Sequence, residues 1–329
     1  MFSSFLFSLL PALTTGSKAK VKQGKSEEWK RFYEIYDRRA TNDLSHFQRI
    51  MVPTSFGDTH VFVGGNQESQ HTAVFFHGVR ATSLMWGKVA QDDGLLARRK
   101  IILIDYITDV GRSLPTRAGP SDAAEHAQWL REILNHLDQQ DSVDLVGYSY
   151  GSFVAAMCAT AAPELVRNKK VICISPAAVF SGLRPSFYFY ALMPIATGER
   201  FGFTYLWCSE WMSGAHIDYL SAVDDDDILL ESAARPLQLA HDVPLAPKMF
   251  DDVSLAKLTS SPLRVVLVIG QEDPILSDID EAVLRAREFG AEAVVVPDAG
   301  HLWCRTMKET FVDVVVKTLL GVERRRSRL

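Results

Sequence analysis

The stretch VDLVGYSYGSF at residues 143–153 places one serine between two glycines, directly after a run of apolar residues. Residues 143–146 predict a short buried strand, and the apolar segment that begins at residue 152 predicts a helix. The turn between them has the spacing G-x-S-x-G. A sharp strand-to-helix turn strains its central residue, so both neighbouring positions must lack bulk. The hydroxyl of Ser149 is therefore predicted to stand at the carboxyl edge of a sheet, a position that suits a nucleophile.

Apolar segments alternate with helical patterns from about residue 48 onward. The predicted strands are HFQRIMV, THVFVGG, TAVFFHG, KIILIDY, the segment before the serine turn, KKVICISPAA, RVVLVIGQED and AEAVVVPDAG. Helical patterns between and after them include SDAAEHAQWLREILNHLD and MKETFVDVVVKTLL. Runs of Val, Ile and Leu separated by helices indicate a mainly parallel sheet with helices on both faces. The sequence thus predicts an α/β protein.

One long interval breaks this alternation. About 85 residues separate ISPAA from RVVLVIG, which is far more than a crossover helix needs. The interval is rich in aromatic residues and predicts a helical lid over the carboxyl edge of the sheet. The predicted organisation is an N-terminal helical extension at 1–47, an α/β core at 48–179 and 261–322, the lid at 180–260 and a basic tail at 323–329. The acidic run Asp224–Asp227 is expected to lie in a solvated turn of the lid.

Composition narrows the classes of function. The chain has 329 residues and a net charge of −5, which offers no electrostatic basis for binding nucleic acid. Its four cysteines are scattered, without C-x-x-C spacing or clustered histidines. The sequence therefore requires no disulfide, metal or cofactor, and we expect none. It leaves the oligomeric state open.

The N-terminus allows three interpretations. Residues 1–13 are apolar but too short to span a bilayer, and they lack the positive region of a signal peptide. The lysines at 18–25 would suit the surface of an anionic membrane. A docked helix, a cleaved signal and a membrane-lying anchor all remain open. We expect a cytoplasmic protein, with peripheral membrane contact through the N-terminus as the alternative.

A serine nucleophile needs a base, and His301 is the candidate. A serine hydroxyl is a poor nucleophile at neutral pH unless a base takes its proton. His301 follows the predicted strand AEAVVVPDAG, which places it at the same sheet edge as Ser149. His126 and His136 lie in an amphipathic helix and are expected to be partly exposed. His301 is therefore the predicted base.

The base needs an acid that fixes its tautomer, and Asp273 is the candidate. Asp273 follows the strand RVVLVIG. Glu272 is the competitor, but the direction of the chain and the following Pro274 favour Asp273. The catalytic residues then follow in the order serine, aspartate, histidine.

The oxyanion of an acyl-transfer intermediate needs two hydrogen-bond donors. The backbone N–H of Tyr150 is the first candidate, and the N–H of Val79, after the His77-Gly78 turn, is the second. His77 itself is expected to be a structural, hydrogen-bonded histidine. The residues predicted to line a substrate pocket are Trp86, Tyr148, Phe187, Trp207 and Trp303.

Five motifs together resemble the α/β-hydrolase superfamily. They are HGV at 77–79, DYITDVGRS at 105–113, GYSYG at 147–151, GQED at 270–273 and DAGH at 298–301. The resemblance covers roughly residues 48–320 and implies the α/β-hydrolase fold, with a mostly parallel eight-stranded sheet and a helical lid inserted after strand 6. It also implies that Ser149, Asp273 and His301 form a catalytic triad, with Val79 and Tyr150 at the oxyanion hole.

One departure from the family pattern lies after the nucleophile. Many relatives carry S-x-G-G, whereas Ser152 follows Gly151 in this chain. This change is expected to leave the chemistry intact and to alter the packing of the helix that follows the turn.

Three functional hypotheses follow. The first is a serine hydrolase, like the carboxylesterases, lipases and thioesterases of the family, that cleaves a small ester or thioester with a hydrophobic part. The second keeps the triad for another reaction, such as perhydrolysis, carbon–carbon bond hydrolysis or a lyase step. The third is a non-catalytic ligand-binding protein with this fold, which is disfavoured because no triad residue is missing. Fold alone does not give the substrate.

Overall fold

The computed structural model describes residues 27–139, 141–187, 209–214, 223–234, 237, 245–260 and 262–321. Predictions for the first 26 residues, for Trp207 and for the basic tail lie outside the described residues. The interval predicted as a lid is described only in part.

One sheet organises the described part of the chain. Its strands are β1 (Gln48–Thr54), β2 (Gly57–Gly65), β3 (Thr72–Phe76), β4 (Lys100–Ile104), β5 (Leu114–Pro115), β6 (Asp144–Tyr148), β7 (Lys170–Ile174), β8 (Arg264–Gly270) and β9 (Glu292–Val296). Eight of them lie side by side in the order β1-β2-β4-β3-β6-β7-β8-β9, which matches the predicted number. The two-residue strand β5 pairs with β2 and is too short to show a sequence pattern.

The sheet is mixed but mostly parallel, as predicted. Strand β2 runs antiparallel to β1, β4 and β5, whereas every pairing from β4 through β3, β6, β7 and β8 to β9 is parallel. The carboxyl ends of parallel strands meet at one edge of a sheet. The segments that follow β3, β6, β8 and β9 therefore lie at the same edge.

Helices cover both faces of the sheet. They are α1 (Glu27–Leu44), α2 (Asp93–Leu96), α3 (Ala123–His136), α4 (Tyr150–Ala161), α5 (Asp225–Ala234), α6 (Asp252–Leu258), α7 (Ile279–Glu288), α8 (Trp303–Thr306) and α9 (Lys308–Leu320). Alternate strand residues belong to two separate buried clusters, because successive side chains of a strand point to opposite faces. One cluster includes residues of α3, α4, α6 and α7, and the other includes residues of α1 and α9.

The acidic run does not lie in a solvated turn. Asp225 begins α5, and its neighbours form ion pairs with residues far away in sequence. Arg39 Nη1 lies 2.7 Å from Asp227 Oδ1, and Lys308 Nζ lies 2.8 Å from Asp227 Oδ2. Lys308 also pairs with Asp224. Carboxylates are stabilised at the amino end of a helix. The cations that pair with them come from α1 and α9, and no local sequence pattern predicts that these helices lie beside α5.

Among the helices of the described residues, none has the length and hydropathy needed to cross a bilayer.

Candidate active site

Ser149 lies in a tight turn between β6 and α4. Its backbone has φ 51° and ψ −116°, a conformation that costs about 1–3 kcal/mol for a residue with a side chain. A Cβ atom at position 147 would lie 2.2 Å from the carbonyl oxygen of Gly151. A Cβ atom at position 151 would lie 2.2 Å from the carbonyl oxygen of Phe76. Both positions of the turn therefore require glycine, for the steric reason that the sequence pattern suggested.

The neighbouring strand holds this turn in place. The N–H of Ser149 donates to the carbonyl of Ile174 at 2.8 Å, and the N–H of Ala177 donates to the carbonyl of Ser149 at 3.1 Å. The hydroxyl of Ser152 lies 2.8 Å from the carbonyl of Gly147 and 3.0 Å from that of Ile174, and it accepts the N–H of Ile174 at 3.0 Å. Ser152, which replaces the second glycine of the family pattern, thus links α4 to both β6 and β7 by hydrogen bonds.

Ser149, His301 and Asp273 form one hydrogen-bonded chain. Ser149 Oγ lies 2.9 Å from His301 Nε2, and His301 Nδ1 lies 2.8 Å from Asp273 Oδ2. All three side chains are buried. A carboxylate accepts only, so Nδ1 carries the proton and Nε2 presents its lone pair to the serine hydroxyl. The tertiary structure brings together the three residues that the sequence predicted, from three different strand ends.

Asp273 is oriented by its own loop. Its Oδ1 atom accepts the N–H of Ile275 at 3.1 Å, which leaves Oδ2 for His301. His301 Nδ1 donates its hydrogen bond to Asp273 and not to the competitor Glu272, whose Oε2 lies beside Gly214. The geometry therefore favours Asp273 over Glu272, in line with the prediction.

The turn that carries His301 is held from two sides. Its N–H donates to the carbonyl of Met212 at 2.6 Å, and its carbonyl accepts the hydroxyl of Tyr148. A Cβ atom at position 300 would lie 2.3 Å from the carbonyl of Ser213, so Gly300 permits this close approach. The segment at 209–214, inside the predicted lid interval, thus contacts the turn that holds the histidine. Nothing in the sequence pattern pointed to Met212 or to the role of the Tyr148 hydroxyl.

The segments that carry the two predicted oxyanion donors lie beside Ser149. Tyr150 is the first residue of α4, where a backbone N–H has no partner within the helix. Gly78 packs closely on the serine turn, since a Cβ atom there would lie 3.4 Å from Ser149 Cβ. None of the hydrogen bonds among the described residues uses the N–H of Val79 or of Tyr150. Both groups are available to an oxyanion.

His77 shapes the turn that carries Val79. Its Nε2 atom accepts the N–H of Tyr106 at 2.9 Å, and its Nδ1 atom donates to the carbonyl of Gly78 at 2.7 Å. Both ring nitrogens are thus occupied, which agrees with the predicted structural role. His126, which was expected to be partly exposed, is buried instead, because its ring bonds to the hydroxyl of Tyr106 at 2.8 Å.

The predicted pocket residues lie mainly in the core beneath the site. Trp86 is fully buried against Phe75 and Phe311, and Trp303 is fully buried with its indole N–H donated to Ser175. Tyr148 is also buried. These side chains have no surface left for a substrate, because they are buried and each of their rings packs against Phe311 of α9. Phe187 is partly buried and packs against the cluster on the α3–α4 face.

A second buried polar cluster surrounds Asp105. Its carboxylate accepts hydrogen bonds from the hydroxyls of Tyr36 and Ser83, each at 2.7 Å, and lies 3.0 Å from His60 Nδ1. Burial by itself would raise the pKa of Asp105, but its hydrogen bonds, led by that of His60, hold the pKa well below its ordinary value. Because Tyr36 belongs to α1, this cluster fastens α1 to the sheet.

Asp105→Asn is expected to lower the free energy of unfolding by about 3 kcal/mol at neutral pH, because it leaves buried donors unmatched. A carboxyl whose pKa is lowered by folding stabilises the protein above its unfolded pKa of about 3.9. The difference between wild type and variant should therefore shrink as the pH falls toward about 3. Urea unfolding across this range measures it, with the exposed Asp58→Asn as the control. An identical difference at every pH would contradict the prediction.

No group of three or more His, Cys, Asp and Glu side chains among the described residues is arranged to hold a metal ion.

Comparison with known proteins identifies solved structures of similar fold. No curated protein matches the chain in sequence. In fold, it is similar to carboxylesterase CesB (YbfK) from Bacillus subtilis, with a TM-score of 0.76 and 24% identity over 91% of this chain and 100% of that one. The naproxen esterase from Bacillus subtilis gives a TM-score of 0.74 and 22% identity over 89% and 98%. A thermophilic esterase from Thermogutta terrifontis gives 0.64 and 19% over 84% and 99%.

The family assignment rests on a match to most of the chain. The model of the alpha/beta hydrolase family matches residues 73–314, which run from the second residue of β3 to beyond β9 and include all three members of the hydrogen-bonded chain. The esterases of similar structure share the same fold. The protein therefore belongs to the alpha/beta hydrolase family.

Proposed function

We propose that this protein is a serine hydrolase that cleaves a carboxylic ester or thioester with a hydrophobic acyl or alcohol part. The observation that supports this most strongly is the chain of hydrogen bonds from Ser149 through His301 to Asp273, with heavy-atom distances of 2.9 and 2.8 Å. The three esterases of similar fold add support for an ester substrate.

In the acylation step, Ser149 Oγ attacks the carbonyl carbon while His301 Nε2 accepts the hydroxyl proton. The electron pair of the carbonyl double bond moves to its oxygen, and the N–H groups of Val79 and Tyr150 stabilise that oxyanion. When the carbonyl reforms, the bond to the alcohol or thiol breaks, and the leaving group takes the proton from His301. The acyl group then remains on Ser149.

Deacylation repeats these steps with water. His301 Nε2 accepts a proton from the water as its oxygen attacks the acyl carbon, and the same two N–H groups hold the second oxyanion. Collapse of this intermediate breaks the bond to Ser149 Oγ, which takes the proton back from His301. Throughout, Asp273 keeps the proton on Nδ1 and stabilises the positive charge that His301 acquires in each step.

The first test is turnover of p-nitrophenyl esters from acetate to palmitate. We expect hydrolysis with a clear optimum of chain length, together with labelling of Ser149 by a fluorophosphonate probe. Labelling without turnover of any ester or thioester would favour the second hypothesis, in which the triad serves another reaction. Neither labelling nor turnover, in a folded protein, would support the non-catalytic hypothesis and overturn the proposal.

Tyr148→Phe is expected to lower kcat several-fold and to leave KM nearly unchanged. The hydroxyl of Tyr148 donates to the carbonyl of His301, so its loss frees the turn that positions the base without touching the substrate. The stability loss should be about 1 kcal/mol. Steady-state kinetics with one ester, together with thermal unfolding, measure both effects.

Tyr106→Phe is the matched control for this prediction. It removes another buried tyrosine hydroxyl, one that bonds to His126 at 2.8 Å and not to the turn of His301. We expect a similar loss of stability from this variant but no change in kcat. Equal values of kcat for the two variants would mean that Tyr148 does not position His301.

A further inference from the structure

A cavity lined by positive charge lies next to the serine turn. Its volume is about 50 Å³, room for roughly four water molecules or a small oxyanion. The charged side chains that line it are Arg39, Arg80, Lys88, Arg305, Lys308 and Asp227. The remaining lining is mostly apolar and includes Leu84 and Phe311. One acidic side chain therefore faces five basic ones.

Two of these cations form no direct ion pair among the described residues. Arg39 and Lys308 are neutralised, since both form ion pairs with Asp227. Arg80 and Lys88 form no ion pair with any described carboxylate. Asp109 accepts a hydrogen bond from the backbone N–H of Arg80 at 2.7 Å, and the charge of Arg80 counteracts part of the rise that burial causes in the pKa of Asp109. The cavity thus presents a guanidinium and an ammonium group that an anion would balance.

The cavity adjoins the candidate active site along the chain and through packing. Arg80 directly follows Val79, the proposed oxyanion donor, so their Cα atoms are about 3.8 Å apart. On the other side, Phe311 of the cavity wall packs edge-on against Tyr148, with ring centroids 5.9 Å apart. Tyr148 in turn precedes Ser149. The cavity therefore lies near the candidate active site, through residues that neighbour Val79 and Ser149.

We propose that this cavity binds an anionic oxygen group, carboxylate or phosphate, at the far end of the substrate. The proposal rests on the proposed esterase function and narrows its substrate class to esters that carry a negative charge. Arg80 offers a planar fork of N–H donors that matches such a group, and Lys88 adds a second charge. The apolar part of the lining, which includes Leu84 and Phe311, suits the carbon chain between the anion and the ester.

Two p-nitrophenyl esters test this preference. The anionic one is mono-p-nitrophenyl adipate, and the neutral one is p-nitrophenyl hexanoate, which has the same acyl length without the carboxylate. The measured quantity is the ratio of their kcat/KM values. We expect wild type to favour the adipate ester, and we expect the ratio to fall about tenfold in Arg80→Gln and in Lys88→Gln. Using a ratio removes any general effect of a variant on catalysis.

Lys257→Gln is the control for the loss of a positive charge. Lys257 is exposed on α6, which belongs to the cluster on the opposite face of the sheet from the cavity. This variant should leave the ratio at the wild-type value. A ratio that stays the same in Arg80→Gln and Lys88→Gln, while both esters are hydrolysed, overturns the anion site and leaves the proposed function standing.

A binding measurement separates the two proposals when neither ester is hydrolysed. The absence of hydrolysis of both esters would overturn the proposed function. Free adipate and inorganic phosphate are then tested for their effect on the melting temperature of wild type and of Arg80→Gln. An increase in the melting temperature of wild type that is absent in Arg80→Gln supports an anion-binding cavity. The larger of the increases caused by adipate and by phosphate shows which anion the cavity prefers. No stabilisation by either anion overturns the site.

Discussion

Ser149→Ala is expected to lower kcat/KM for p-nitrophenyl esters by at least about a thousandfold. The variant keeps His301 and both proposed oxyanion donors but has no oxygen to form an acyl-enzyme. Its stability should stay close to that of wild type, because alanine retains the Cβ atom that strains the turn at φ 51°. Ester kinetics and thermal unfolding of the two proteins measure these effects. Turnover at the wild-type level in a folded Ser149→Ala would contradict the assignment of the nucleophile.

Ser149→Gly makes a sharper comparison with Ser149→Ala. Both variants remove the hydroxyl and should be equally inactive. Only glycine adopts a positive φ without cost, so Ser149→Gly should be more stable than Ser149→Ala by about 1 kcal/mol. Equal stability of the two variants would mean that the turn stores no backbone strain. The comparison therefore separates the chemical role of the hydroxyl from the conformation that presents it.

Gly151→Ala is expected to lower the free energy of unfolding by about 3 kcal/mol and to abolish turnover. The added Cβ atom would lie 2.2 Å from the carbonyl of Phe76 and 2.6 Å from that of His77. Both obstacles are backbone atoms, so the end of β3 must move away from α4. That movement displaces Val79 from Ser149 as well. Urea unfolding and ester kinetics measure the two effects.

Gly182→Ala is the control for this substitution. A Cβ atom at position 182 would meet only Ser277 Oγ, at an ordinary contact distance of 3.5 Å. We expect this variant to unfold at the same urea concentration as wild type. If Gly151→Ala also unfolded at the wild-type concentration, the close approach of β3 to α4 would not be a requirement of the fold.

Much of the candidate site could be predicted because its residues follow strand ends. Ser149, Asp273 and His301 each follow the end of an apolar strand within five residues, and in a parallel sheet such positions share one edge. The two glycines around Ser149 reveal the tight turn because no other residue fits there. These signals depend only on residues that are close in sequence, so they do not depend on how the rest of the chain packs.

The incorrect predictions concern contacts between residues that are far apart in the sequence. Trp86 and Trp303 were predicted to line a pocket, but an aromatic side chain in a loop packs into the core as readily as it lines a cleft, and here both are fully buried. The acidic run was predicted to lie in a solvated turn; Asp224 and Asp225 are exposed, but a helix begins at Asp225, and Asp227 pairs with Arg39 across 188 residues of sequence. Distances across the fold depend on how helices dock, and no short pattern records them.

The sequence by itself determined the class of fold, the strained serine turn and the identity of the three residues at the strand ends, because each depends on the spacing of nearby residues. Only the tertiary structure decided which groups position these three residues and which charged side chains lie near them. The carbonyl of Met212 and the hydroxyl of Tyr148 position the turn of His301, and Arg80 and Lys88 meet in one cavity. These contacts join segments that lie far apart in sequence. The cavity in particular exists because α1, α5 and α9, which supply Arg39, Asp227 and Lys308, pack on the same face of one sheet.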